Sequence, residues 1–261
     1  LSSYGSLSHQ GILARTVEET ATVFNIITQP DPKGAPSEPL VKSSKNLSKL
    51  SNLNGLKIGY CLSLNSRTVD ICIAKNFSNA IKLFEENGAI TSAITPQIEK
   101  SEKLIKNFWY ASLENITKKL DKNLIDPAII AFLQDNQCVD LEKYLNCQAQ
   151  RLELKAVMNR FFSKYDLLVT PTLPILPFPI GQLTPQKNKS DWFEWAGNCY
   201  PFNLTQQPAA SVYSGTSNNG LPIGLQVVGR KYEDYKVLMV CAFLESVFGT
   251  PNFPNLSNKT K

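Results

Sequence analysis

Serine beside lysine is the plainest route to chemistry in this sequence. A hydroxyl becomes a nucleophile once a base takes its proton, and a lysine serves as that base only where burial lowers its pKa. The two residue types crowd together at Ser43-Ser44-Lys45 and at Ser48-Lys49. Both groupings sit in a polar stretch where a lysine stays solvated and protonated, so neither reads as a catalytic pair. Ser214-Gly215-Thr216-Ser217 has the look of a loop that presents backbone N–H groups to an oxyanion. It follows a strand-like run and precedes Asn218-Asn219-Gly220, and it reads as a surface turn. His9 is the single histidine. With no nucleophile beside it to serve, a structural or surface role is expected.

Metal chemistry finds little support. The six cysteines (Cys61, Cys72, Cys138, Cys147, Cys199, Cys241) form no Cys-x-x-Cys pair, and one histidine cannot complete a mixed zinc site. They read as reduced, mostly buried thiols of a cytoplasmic protein. No metal and no cofactor is expected. The net charge of +5 is modest and its lysines are scattered. The densest cluster, Lys118-Lys119 with Lys122, reads as a solvated helix face, because a nucleic-acid site calls for a broader basic stripe. No apolar run approaches the roughly 18 residues of a membrane span, and no signal peptide is visible. The chain opens on Leu1-Ser2-Ser3-Tyr4 without an initiator methionine, and it reads as processed or incomplete.

The elements that must position any site follow from periodicity. Thr16-Val17-Glu18-Glu19 has the form of a capping box, and Val17, Ala21, Phe24 and Ile27 follow at helical spacing. Residues 29–54, led by four prolines and then rich in Ser, Lys and Asn, read as a surface linker. Gly55 to Cys61 reads as a short buried strand. Ile73, Phe77, Ala80, Ile81 and Phe84 make the next helix, which Gly88 is placed to end. Ala89 to Ile94 reads as a second strand, parallel to the first because a helix joins them. Residues 98–163 are expected to be mostly helical. Asp126-Pro127 would start one helix there, and Leu141, Leu145, Leu152, Val157, Phe161 and Phe162 would form the packed side of a long one. A C-terminal sheet and helix at 166–248 complete the reading, with strands at Asp166–Thr170, Ala209–Val212 and Gly224–Gly229. The fold class is α/β, with a mixed central sheet flanked by helices.

Three segments resemble the amidase signature family, hydrolases of carbon–nitrogen amide bonds. The first is Ser6-Leu7-Ser8-His9-Gln10-Gly11-Ile12-Leu13-Ala14-Arg15-Thr16-Val17-Glu18, and the second is Tyr165-Asp166-Leu167-Leu168-Val169-Thr170-Pro171-Thr172. The third runs from Asn203 to Arg230 and includes Asn203-Leu204-Thr205-Gln206-Gln207-Pro208-Ala209-Ala210 and Gly220-Leu221-Pro222-Ile223-Gly224-Leu225-Gln226-Val227-Val228-Gly229-Arg230. Their order and separation are similar to the family's. The likeness is specific at both ends of the chain and loose between about 30 and 160. It implies the C-terminal part of an α/β/α sandwich, so that 1–261 is a partial amidase domain.

The resemblance also implies a serine nucleophile activated by a lysine through a second serine, with backbone N–H groups holding the oxyanion. In the family these lie N-terminal to the first segment, so no catalytic residue is expected within these 261 residues. What remains is the substrate pocket. Trp195 and Phe202 are its wall candidates, and Asn203 and Thr205 would orient backbone or substrate. Arg15 is expected in an ion pair or cap. Four positions depart from the family's pattern: Ser8 for aspartate, Ile12 for proline, Gln206 for glycine and Tyr213 for proline. Gln206 is the awkward one if its backbone needs a positive φ.

The expected partners are a small amide substrate and an N-terminal half of the same domain, with no nucleic acid and no membrane; oligomeric state stays open. Alternatives are the amidase-like subunit of a glutamine-dependent tRNA amidotransferase and a catalytically inactive remnant of an amidase gene. A glutamine pocket needs charged groups for the zwitterionic end of its substrate, and between 191 and 207 only Asp191 and Glu194 are charged. Alone, the chain is expected to fold poorly, because a sheet severed from further strands exposes an unpaired edge.

Overall fold

Leu167-Leu168-Val169-Thr170-Pro171 is buried at every position, as a strand covered on both faces must be. It is the centre of a five-stranded sheet in a computed structural model that describes residues 4–29, 47–65, 67–135, 138–182, 184–185, 193 and 195–251. The strands are β1 (Lys57–Tyr60), β2 (Ile90–Ala93), β3 (Leu167–Pro171), β4 (Ala209–Thr216) and β5 (Pro222–Gly229), in the order β2-β1-β3-β5-β4. β2, β1 and β3 are parallel, while β5 runs antiparallel to both β3 and β4. The sheet is mixed, as expected.

Alternation along the strands divides the interior into two cores. Leu168 and Val228 face one core, built with α3 (Ser101–Thr117), α4 (Pro127–Asp135), α5 (Leu141–Phe162) and α6 (Tyr200–Thr205). Leu167, Val169, Val212, Leu225 and Val227 face the other, built with α1 (Val17–Ile27), α2 (Ile71–Glu86) and α7 (Asp234–Phe248). A helical layer therefore covers each face of the sheet.

Local chemistry explains the helix ends. Thr16 Oγ1 accepts from Glu19 N at 3.1 Å, which is one half of the capping box. Asp70 and Asp140 cap α2 and α5 through bonds of 2.7 Å from Cys72 N and Lys143 N. Gly88 turns the chain after α2 at φ 88°, where a Cβ would strike Asn54. Asp126 accepts from Ala128 N at 2.7 Å ahead of Pro127.

Four expectations change. α5 does not pack on Leu141, Leu145 and Leu152, which are exposed; its inward side is Cys147, Arg151, Leu154, Met158, Phe161 and Phe162. Those positions recur at intervals of three and four along one stripe, and the exposed leucines lie off it. The linker ends earlier than residue 54, because Leu53 is fully buried and Leu47 and Leu50 pack on the core; residues 30–46, with Ser43, Ser44 and Lys45, lie outside the described residues. Ser214, Gly215 and Thr216 belong to β4, with an irregular register at Tyr213/Gly215, and the turn begins only at Ser217. All six cysteines are free, but only Cys61, Cys147 and Cys241 are buried.

Candidate functional site

The site is built around α6, a six-residue helix whose ends are held by buried polar groups. At its C-terminal end stands Arg151 of α5. Its Nε donates to Leu204 O at 2.7 Å, and its terminal nitrogens reach Ser6 Oγ (2.9 Å), Ser6 O (3.2 Å) and Asn203 O (3.4 Å). Burial pushes its pKa down, yet a guanidinium stays charged and is matched here by carbonyl oxygens that a helix end leaves unpaired. One arginine thus joins α5, α6 and the N-terminal segment.

The entry to α6 is held by three polar side chains. Gln226 Nε2 of β5 donates to Thr170 Oγ1 at 2.9 Å and to Asn198 O at 2.7 Å. Asn198 Nδ2 donates to Pro171 O at 2.9 Å, and Asn198 Oδ1 accepts from Leu64 N at 3.0 Å. Asn65 Nδ2 reaches Gly197 O at 3.1 Å and Tyr200 Oη at 2.6 Å. Each of these three amides thereby finds partners, which is the condition for keeping polar groups inside. The next residue, Cys199, donates from Sγ to Thr172 O at 3.2 Å; burial pushes its thiol up to about 11, so it stays protonated at neutral pH.

Two further hydroxyl pairs involve β4. Thr172 Oγ1 and Ser211 Oγ meet at 2.7 Å across β5, and Tyr213 Oη meets Thr216 Oγ1 at 2.6 Å. Of the expected pocket residues, Trp195 is half-buried, edge-on to Phe178 at 5.7 Å, with a buried Nε1 that has no partner among the described residues. Asn203 Nδ2 donates to Leu7 O at 3.0 Å and lies 3.3 Å from His9 Nδ1. Phe202 sits in the α6-side core, and Thr205 donates its hydroxyl back to Pro201 O at 3.0 Å. Trp195 and Asn203 are therefore partly exposed, while Phe202 and Thr205 are buried. Asp191, Trp192 and Glu194 lie outside the described residues. Arg15 pairs with Glu19 at 3.1 Å; its backbone N–H, and then its guanidinium, hold the Glu19 carboxyl below the usual range.

Gln206 ends α6 in the left-handed region, at φ 66° and ψ 33°. Its Oε1 accepts from Lys155 Nζ at 2.7 Å, a contact that offsets part of the backbone cost. Gln206→Gly is expected to raise the melting temperature, gaining up to about 1 kcal/mol, which a thermal unfolding curve reads directly.

A groove of about 880 Å3 between α3 and α5 touches none of these residues; Lys100, Lys103 and Lys143 line it together with Asp140, Glu142 and Glu153. Its opposite charges favour no one ligand class. Among the described residues no cluster of His, Cys, Asp or Glu is placed to hold a metal, and no helix is long and apolar enough to cross a membrane.

Residues 3–238, spanning all the segments just described, match the family model named Amidase. The chain belongs to the amidase family. Among curated amidase relatives it is 26% identical to an acylamidase of Rhodococcus erythropolis, over 92% of this chain and 52% of that protein. It is also 26% identical to a glutamyl-tRNA(Gln) amidotransferase subunit of Alkaliphilus metalliredigens, over 94% and 55%. A bacterial aryl acylamidase structure of the amidase signature family superposes with a TM-score of 0.74 at 22% identity, over 90% of this chain and 52% of that one, which establishes the fold. The chain spans about half the length of the curated amidase relatives it matches. Arg151, Asn198 and Gln226 carry no signal of their own in the sequence, although Gln226 stands inside the third matching segment.

Proposed function

We propose that this chain is the C-terminal, substrate-facing part of an amide-bond hydrolase, with nucleophile and base carried by a segment upstream of residue 1. One observation carries the reading. The family's fold is present with α6 fastened at both ends, while the hydroxyls of Thr172, Ser211, Thr205 and Ser214 bond to one another, to amides and to carbonyls rather than to a base. Trp195, Phe202, Asn203 and Thr205 belong to the wall of the substrate pocket in this reading, the first and third partly exposed. The rest of the domain extends the sheet in this reading, from one of the outer strands β2 and β4, whose outer edges are open among the described residues. The protein is cytoplasmic in this account.

The experiment is a paired assay with small acyl anilides. The 261 residues alone should release no aniline, and the product of the reading frame extended upstream should release it. Turnover by the short chain would contradict the reading, as would an extended product without activity. A second reading, the amidase-like subunit of a tRNA amidotransferase, is favoured by the number of curated relatives named as glutamyl-tRNA(Gln) amidotransferase subunits, one of them 37% identical over 100 residues. It predicts that glutamine, rather than an anilide, is the amide cleaved.

A further inference from the structure

Polarity along β4 marks a place that the family likeness leaves unassigned. Val212 points into the α7-side core, so its neighbours Ser211 and Tyr213 share the opposite face with α6. On that face the register sets Gln226 between Thr170 and Ser211, with Gly224 two residues on. Gln226 is long and fills its place with hydrogen bonds. Gly224 has no side chain, and over that gap Thr172 and Ser211 reach from strands on either side to meet at 2.7 Å. A Cβ at Gly224 would stand 2.8 Å from both oxygens, so the glycine is what lets the two hydroxyls close.

The pair is chemically unfinished. Two hydroxyls hold two donors and four lone pairs, and their mutual bond uses one donor and one lone pair. One O–H and several lone pairs therefore remain side by side on an exposed bond. A donor beside an acceptor complements the C=O and N–H of an uncharged amide. A carboxylate or an ammonium would want a charged partner, and neither hydroxyl bonds to one among the described residues. The Cys199 thiol, which donates to Thr172 O, is also neutral.

An aromatic wall stands on the same two stretches of chain. The 172–178 and 195–199 segments touch at one end through Cys199 Sγ and Thr172 O, and again at the other through Trp195 and Phe178.

We propose that Thr172 and Ser211, closed over Gly224, form a neutral donor–acceptor floor that hydrogen-bonds the amide group of an aryl or apolar carboxamide, with Phe178 and Trp195 as its wall. This rests on the amide reading above and narrows it to an uncharged substrate. The two residues are specificity-determining and take no covalent part.

The test is binding of acetanilide and of L-glutamine to the product of the reading frame extended upstream, followed by saturation-transfer NMR at millimolar ligand. Acetanilide should bind and glutamine should not. Thr172→Val and Ser211→Ala should each weaken acetanilide about fivefold, the worth of one neutral hydrogen bond. Gly224→Ala should weaken it as much while keeping both hydroxyls, a result that mere loss of polarity does not explain. Circular dichroism confirms that each variant is folded. Equal acetanilide binding by wild type and variants overturns the floor alone and leaves amide hydrolysis standing. Absence of acetanilide binding, or preference for glutamine, overturns the floor too, while failure of the extended product to hydrolyse anilides is what sinks the broader reading.

Discussion

Arg151→Leu should lower the unfolding free energy by about 3 kcal/mol, read as a fall in the urea midpoint with a matching loss of soluble yield. The leucine fills much of the same volume, so packing near the Phe108 ring is largely kept. What goes is the set of donors to Leu204 O, Asn203 O and Ser6, all at the end of α6 or on the N-terminal segment. The bond to Leu204 O is buried, and those to Asn203 O and Ser6 partly so, which makes the loss larger than that of an ordinary exposed hydrogen bond. Arg151→Lys should fall between the two, because one ammonium cannot reach acceptors spread over two segments. The readout beyond stability is local: residues 4–9 should become more accessible to proteolysis, since Ser6 loses its anchor.

Asn198→Ala should cost about as much, near 3 kcal/mol, by a different route. It leaves Leu64 N without its acceptor, removes the amide donor to Pro171 O so that only the Thr170 hydroxyl still donates there, and opens a cavity at a residue that is now only 2% exposed. Asn198→Asp separates the two contributions. The aspartate keeps the acceptor for Leu64 N but loses the donor to Pro171 O and buries a charge, so it should be at least as damaging as alanine. Hydrogen exchange gives the direct check, with the amide of Leu64 losing protection in Asn198→Ala and keeping more of it in Asn198→Asp.

These two residues show where sequence reading stops. β3 was legible because a strand covered on both faces is an unbroken apolar run, and α2 because Ile73, Phe77, Ala80, Ile81 and Phe84 recur at strict helical spacing. The packed side of α5 was not. Its apolar letters Leu141, Leu145 and Leu152 face water, and one of its inward positions is an arginine whose burial depends on carbonyls some 50 residues away. The network at α6 is hidden for the same reason, since Gln226 bonds across separations of 28 and 56 residues. Motif likeness singled out the segment that carries Gln226 and Asn203 without saying which of their atoms are already engaged.

The departures from the family's pattern fare unequally. Gln206 does occupy the left-handed backbone that favours glycine, with Lys155 holding its side chain. Tyr213 has found a partner in Thr216. Both residues are accommodated by contacts of their own.

Central to the proposed function is that these residues supply the substrate face of an amidase and not its nucleophile. Fluorophosphonates react with a serine only when a neighbouring base has activated it. Intact-mass spectrometry of the 261-residue chain after treatment with such a reagent should show no adduct, with Ser211 and Ser214 unmodified in the peptides that carry them. A stoichiometric adduct on any serine of this chain would contradict the claim.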